Sequence, residues 1–256
     1  MKKWLVYGLV LFLASCGWGK YQVSKQTYQE KVQVLGVLPL LLDTAAPFDY
    51  PQKQNLFALL RRSIANKHEM LVEQLREEKG YFDVRLLAGD SELLALSLLA
   101  GEKPADPAGR PQGYHYNQQS VAEIARQNVV DALLVVVFSG EQIEESRRSR
   151  TLLESLQTTY NDIMATAAVV DRNGQVLWEM VGRDAVHAVL LQYADFDEAY
   201  YNKTDLVQVK YIDLSGIEKA LGENDAEGNQ KLPEVYRKLF SRIVSSISPG
   251  LLDSLK

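Results

Sequence analysis

The sequence predicts an α/β protein: a single sandwich domain built on a mixed sheet, with a long N-terminal helix and a C-terminal helix packed on it. Three observations carry that expectation. Residues 131–138 include the unbroken apolar run Ala132 to Phe138, which suits a strand in the middle of a sheet with both faces covered. Two short β-rich runs, residues 32–39 and 81–87, bracket a stretch of helical spacing, which predicts a right-handed strand–helix–strand crossover. Asn173-Gly174 separates two further β-rich runs, and that dipeptide suits a hairpin because both residues tolerate positive φ.

Taken in order, the body opens after a polar stretch, residues 16–30, which has no sustained period and reads as a tether. The run at 32–39 is rich in branched residues and closed by Pro39, as an interior strand would be. Asp43, Pro47, Asp49 and Pro51 mark a loop. Leu56, Leu60, Ile64, Leu71 and Leu75 then fall at helical spacing with charged residues between them, which predicts one long amphipathic helix ending at Gly80. A strand follows over 81–87, and Asp90 is placed to cap a short apolar helix over 91–100.

Residues 101–113 carry three prolines and three glycines and read as an exposed loop inside the domain. Ser120 and Glu123 have the spacing of a capping box, opening a helix to about Asn128. Beyond the apolar strand, the charged stretch 141–150 reads as solvated loop. The hairpin strands are expected over 160–170 and 175–189, and 191–211 has no clear period. Pro233 suits the first turn of a final helix whose buried face is Val235, Tyr236, Leu239, Ile243 and Ile247, stopped by Ser248-Pro249-Gly250. No internal repeat interrupts the 256 residues, whose 46% hydrophobic and 24% charged content is that of a folded domain.

The N-terminus carries a different kind of signal. Met1-Lys2-Lys3 is followed by a mainly apolar run from Trp4 to Leu13 and then by small residues, the pattern of an export signal. A run of about ten residues is too short to span a bilayer, which needs roughly 20. Leu13-Ala14-Ser15-Cys16 resembles the lipobox of bacterial lipoproteins. The resemblance implies that Cys16 takes a diacylglyceryl group on its thiol and that the chain is cut between Ser15 and Cys16. It also implies that further acylation, such as by palmitate, completes the anchor. A thiol suits that chemistry as the stronger nucleophile near neutral pH, and Cys16 is the one cysteine of the chain. Two or three acyl chains at about 0.8 kcal/mol per buried CH2 make a lasting anchor, whereas one is marginal. Gly17, rather than an aspartate, leans the sorting toward the outer membrane in the family's usual rule.

The organisation expected is therefore a signal peptide over 1–15, a lipidated tether over 16–30 and an envelope domain over 31–256. The whole chain has 28 Lys and Arg against 33 Asp and Glu, a net charge of -5. Loss of Lys2 and Lys3 with the signal leaves 26 bases against 33 acids, so the mature balance is -7. A mildly acidic chain without a basic stripe argues against nucleic acid as a partner. It also gains nothing from an anionic bilayer, so the lipid must supply the membrane affinity.

Residues 31–42, 131–138 and 168–178 resemble three short signature segments of a loose superfamily. It includes the curli-secretion lipoproteins and the N-terminal domain of the Tol-system β-propeller protein. The resemblance implies an envelope assembly or regulatory role without a shared reaction. Leu40 stands where the first segment often has Phe, and Ser139 intervenes before Gly140.

Candidate chemistry is sparse. His68, His115 and His187 read as a surface-helix, a loop and a sheet histidine, and His68-Glu69 lacks the second histidine of a zincin helix. There is no Gly-x-Ser-x-Gly elbow and no Gly-rich loop ending in Gly-Lys-Ser/Thr. Asp195, Asp197 and Glu198, and likewise Glu223, Asp225 and Glu227 beside Gly228, read as exposed acidic turns rather than calcium loops. No catalytic, cofactor-binding or metal-ligating residue is assigned. The expectation is a non-enzymatic, lipid-anchored factor that docks another envelope protein or a second copy of itself. The alternative is an enzyme or ligand-binding module with a carboxylate–tyrosine site near 193–211, where Tyr193, Tyr200, Tyr201 and Tyr211 crowd together. Tyr114 and Tyr116 in the loop add further contact-prone rings.

Overall fold

A computed structural model describes residues 19–78, 80–222 and 232–247. Cys16 and Ser15, the acidic residues Glu223, Asp225 and Glu227, and the Ser248-Pro249-Gly250 stop lie outside the described residues.

The architecture is mixed α/β, as the sequence predicts. Its centre is a hairpin of two long strands, β7 (Ala132–Arg148) and β8 (Ser155–Asp171), paired antiparallel from Ala132↔Asp171 to Arg148↔Ser155. At about 3.3 Å per residue each strand is roughly 55 Å long. Beside β7 lie β2 (Val34–Val37) and β3 (Leu41–Asp43), both parallel to it, and β4 (Asp83–Leu86) pairs parallel with β2. On the other side β9 (Val176–Met180) pairs with Ala167 to Val170 of β8 and β10 (Val186–Leu190) with Asp162 to Ala165, and β1 (Lys20–Tyr21) closes on β9.

Alternation along β7 divides the molecule into layers. Ala132, Leu134, Val136 and Phe138 face one core, and Leu133, Val135 and Val137 face the other. The larger core receives α1 (Lys25–Lys31), α2 (Lys53–Ile64), α3 (Lys67–Glu77), α7 (Leu214–Leu221) and α8 (Glu234–Ile247). The smaller receives α4 (Ser91–Leu98) and α5 (Gln118–Asn128). Both faces of the central strands are thus dry, which explains why 132–138 reads as one apolar run. On α8, the Tyr236 ring packs against both Phe138 and Phe240 at separations near 6 Å, and Ser63 and Tyr236 share a hydroxyl contact of 2.5 Å.

Several local signals act as read. Asp90 accepts from the backbone N–H of Glu92 and Leu93 and so starts α4. The turn at Asp171 to Gly174 closes β8 onto β9, with Gly174 at φ +78°. Four expectations are corrected. The long helix is two, because Asn66 adopts φ +61° between α2 and α3, a conformation that asparagine tolerates better than most residues. The α5 cap is Asn117, whose side chain accepts from Ser120 N–H, three residues before the expected start. The second hairpin strand breaks at a 3₁₀ turn, Gly182–Asp184, into β9 and β10. The charged stretch 141–150 is largely strand, for a reason taken up below.

The polar segment before residue 31 is also more than a leash. From residue 19 it is docked: β1 pairs with β9, Tyr28 is buried, and Tyr21 Oη donates to the Ser246 carbonyl at 2.8 Å. Gly19 lies so close to the Trp178 ring that an added Cβ would sit 2.6 Å from it.

Candidate functional site

The most concentrated chemistry lies where the ribbon of β5 (Leu99–Glu102) and β6 (Tyr114–Tyr116) folds over the end of β3. The register sets the members. Asp43 ends β3 opposite Ser139 of β7, Glu141 lies two residues further along the same face, and Glu102 is paired with Tyr114 across the ribbon. Tyr114 Oη donates to Asp43 Oδ2 at 3.0 Å, the Ala45 N–H donates to Asp43 Oδ1 at 2.8 Å, and Ser139 Oγ donates to Glu141 Oε1 at 2.5 Å. A cavity of about 450 Å³ opens beside them, lined by Asp43, Glu102 and Tyr114 and by apolar side chains that include Leu42 and Leu99.

The electrostatics follow from burial, with no cation among the described residues paired to these acids. Glu141 is 9% exposed, and burial pushes its pKa up to about 7, with the charges of Glu102 and Asp43 adding and the Ser139 hydroxyl opposing. Glu102 presents much of its side chain to solvent but tucks its carboxyl against Asp43. Partial burial, then the hydrogen bond and charge of that neighbour, raise it as well. The Tyr114 hydroxyl is held neutral, by burial first and then by Asp43 and Glu102. Arg61 reaches the same cavity from α2, but its guanidinium pairs with Glu92 of α4.

A second polar cluster sits on the projecting half of the hairpin. Glu145, Asp162 and His187 bring one ligand atom each within 4.8 Å of the others, near enough to share a cation. The hairpin already supplies one. The Arg147 guanidinium binds Glu145 Oε1 at 2.6 Å through Nε and closes on Asp162 and the Gln192 carbonyl through its other nitrogens. His187 Nδ1 lies 3.1 Å from Asp162 Oδ2, and the Leu191 N–H donates to Asp162 Oδ1 at 3.2 Å. A divalent ion about 4 Å from that guanidinium would meet roughly 8 kcal/mol of repulsion at an effective dielectric of 20. The cluster therefore reads as an internal ion-pair network that stiffens the hairpin.

The carboxylate–tyrosine segment folds as β11 (Gln192–Asp195), α6 (Phe196–Tyr201) and β12 (Gln208–Tyr211). It does not gather its groups. Tyr200 and Tyr201 are 78% and 80% exposed, Asp197 pairs with Arg150 at 2.7 Å, and Lys210 bridges Asp195 and Glu198. Lys210 and the Glu198 N–H hold Asp195 below the usual carboxylate range. Tyr211 turns away to donate to Asp49 at 3.0 Å. Cations thus neutralise these acids at the surface, and the tyrosines do not join them.

Of the histidines, His187 is in a strand as expected. His115 is an exposed residue of β6 rather than of the loop, and His68 is buried on α3 at 7% exposure rather than surface-facing, with burial lowering its pKa. The acidic cleft escaped sequence reasoning because its members come from positions 43, 102, 114, 139 and 141, each ordinary in its own segment. The available signal was Ser139 and Glu141 continuing the inward face of the apolar strand, where polar residues are unusual.

Comparison with known proteins finds weak structural similarities. No family model matches the chain, and no curated relative matches it. Among solved structures it is similar to a dodecamer of a PelC point variant from Paraburkholderia phytofirmans. That likeness is at 12% identity and TM-score 0.29, over 85% of this chain and 89% of that one. It is also similar to a putative neuraminyllactose-binding hemagglutinin homologue from Helicobacter pylori, at 10% identity and TM-score 0.38, over 88% and 89%. The hypothetical protein CT253 from Chlamydia trachomatis aligns at 11% identity and TM-score 0.29, over 84% and 98%. At such scores the similarities carry no functional argument.

Proposed function

We propose that this protein is a lipid-anchored, non-catalytic accessory factor of the bacterial envelope, held on the outer membrane through Cys16 and facing the periplasm, where it docks another envelope protein. The observation that carries this reading is the Leu13-Ala14-Ser15-Cys16 motif directly behind a short apolar run. Two structural facts support it. Among the described residues no helix is long and apolar enough to cross a membrane. The folded body begins within three residues of Cys16, at Gly19 against Trp178, so at most about 10 Å of chain separates the lipid from the domain. The domain would ride directly on the bilayer rather than on a long leash.

The test is Cys16→Ala in cells. Palmitate labelling should vanish and the protein should leave the membrane fraction, while the circular dichroism of the purified domain stays unchanged. Crosslinking of the native protein in intact cells should trap one specific envelope partner. An unmodified sulfur in the native protein would defeat the anchor, and capture of random neighbours would defeat the docking role.

A further inference from the structure

We propose that the crevice between the carboxyl ends of β2 and β4 is a binding site for a small neutral hydroxylated solute of sugar size, and that His68 accepts a hydrogen bond from one of its hydroxyls. The topology makes the crevice. β2 and β4 are parallel neighbours, paired from Val34↔Asp83 to Val37↔Leu86. Past β2 the chain runs through β3 to α2 and α3, which cover the larger core. Past β4 it runs to α4, which covers the smaller one. Adjacent parallel strands whose continuations leave for opposite faces part at their carboxyl ends, and such openings are where open α/β sheets hold ligands. Here the opening is a cavity of about 450 Å³, bounded by Pro39 and Leu40 after β2, by Leu86 to Ser91 after β4, and by the α2–α3 junction. Ordinary small-molecule sites span roughly 300–1,000 Å³, so the size suits such a ligand.

A second observation, independent of the topology, lies in the wall. His68, in the first turn of α3, lines the cavity and is 7% exposed. Its Nδ1 is buried and has no hydrogen-bond partner among the described residues. Burial keeps the ring neutral, and the Leu87 carbonyl engages it. Because Nδ1 is the nitrogen without a partner, the carbonyl holds the Nε2 proton and Nδ1 keeps a bare lone pair. Buried acceptors are nearly always paired, and one in a cavity wall can be completed by a donor from a ligand.

The surrounding groups set the ligand's charge. Arg61 is already paired with Glu92, and Asp90 is occupied with the N–H groups of Glu92 and Leu93. Glu69 lines the same cavity and is exposed. An anion would meet the Glu69 and Asp90 carboxylates with no unpaired cation among the described lining residues. A cation would meet the Arg61 guanidinium and the positive end of α3. Asn66 gives α3 no side-chain cap, so that end offers backbone donors to a ligand oxygen. An acceptor at Nδ1 beside donors at the helix end complements a hydroxyl, which both donates and accepts. None of this depends on the lipid anchor.

Titration of the full chain, carrying isotope-labelled histidine, with glucose, maltose or inorganic phosphate tests the site by long-range proton–nitrogen NMR. Glucose or maltose should shift His68 Nδ1 upfield, as a lone pair that gains a donor shifts, and should move backbone amides over 66–69 and 87–91. His115 and His187 should stay in place. His68→Leu should weaken the binding about tenfold, read from the amides. Ala88→Trp, at an exposed lining position that tolerates a larger side chain, should fill the cavity and abolish the shifts. Three results would overturn the site. One is a His68 Nδ1 signal that neither sugar moves, another is a response to phosphate alone, and the third is wild-type sugar binding in Ala88→Trp.

Discussion

Arg147 and Asp162 face each other across the β7–β8 hairpin, and the guanidinium closes on a carboxylate whose side chain has no solvent exposure. The same guanidinium lies 3.8 Å over the Tyr160 ring, so charge and stacking fix it together. This pair explains how a stretch as charged as Glu144 to Arg148 stays in a strand. Ile143, Glu145 and Arg147 share one face of β7, and on that face Glu145 and Arg147 meet Asp162, Tyr160 and the Gln192 carbonyl.

Removing one side of that pair leaves a buried charge alone. Arg147→Met is expected to cost about 3–5 kcal/mol, because Asp162 would keep its burial without its cation. Arg147→Met combined with Asp162→Leu should recover most of the loss. Urea unfolding of the two variants measures the difference, and equal destabilisation in both would show that the pair contributes through shape alone.

The pH profile of stability has a stated sign. The Glu141 pKa is near 7 in the folded protein, above its ordinary value near 4.5, so folding favours the protonated form. Its contribution is complete below about pH 4.5 and is lost as pH rises toward about 7, by on the order of 3 kcal/mol at most. Glu141→Gln should flatten stability between about pH 5 and about pH 8, relative to a wild type that weakens over that span. Denaturant midpoints at stepped pH check it.

Packing at the root of the hairpin predicts a second sensitive position. A Cβ on Gly140 would fall 1.9 Å from the Phe48 ring, which itself packs edge-on against Phe57 at 5.7 Å. Gly140→Ala should cost about 1–3 kcal/mol by overpacking. Phe48→Leu in the same chain should return part of it, and thermal melts of the single and double variants measure both.

One substitution should stabilise. Val129 ends α5 at φ +53°, a left-handed conformation that a branched side chain resists, and its side chain is 70% exposed, so little packing would be lost. Val129→Gly is expected to gain about 1 kcal/mol and to raise Tm by roughly 2–4 °C in a domain of this size. An unchanged or lower melting temperature would show that the valine makes contacts worth more than the strain.

How much was legible differs by residue. Asp90 as a cap, Asn173-Gly174 as a turn, Ala132 to Phe138 as the central strand and the buried face of α8 were readable, because each signal lies within a few residues of the structure it makes. The break at Asn66 and the strand beyond Glu141 were not. In both cases the deciding partner lies elsewhere in the chain or in a backbone angle that many residues can avoid. The tyrosines at 200 and 201 were conspicuous by crowding, yet crowding in sequence placed them on a solvent-facing helix.

The sequence by itself determined the α/β class and the layered core, since apolar periodicity and turn dipeptides are short-range codes. Only the tertiary structure decided that residues 43, 102, 114, 139 and 141 gather in one polar cluster, that Arg147 neutralises Asp162, and that the chain is docked from Gly19 onward. Those outcomes depend on which strand lies beside which. Strand order is settled by the burial of surfaces from distant segments, and no single segment carries that information.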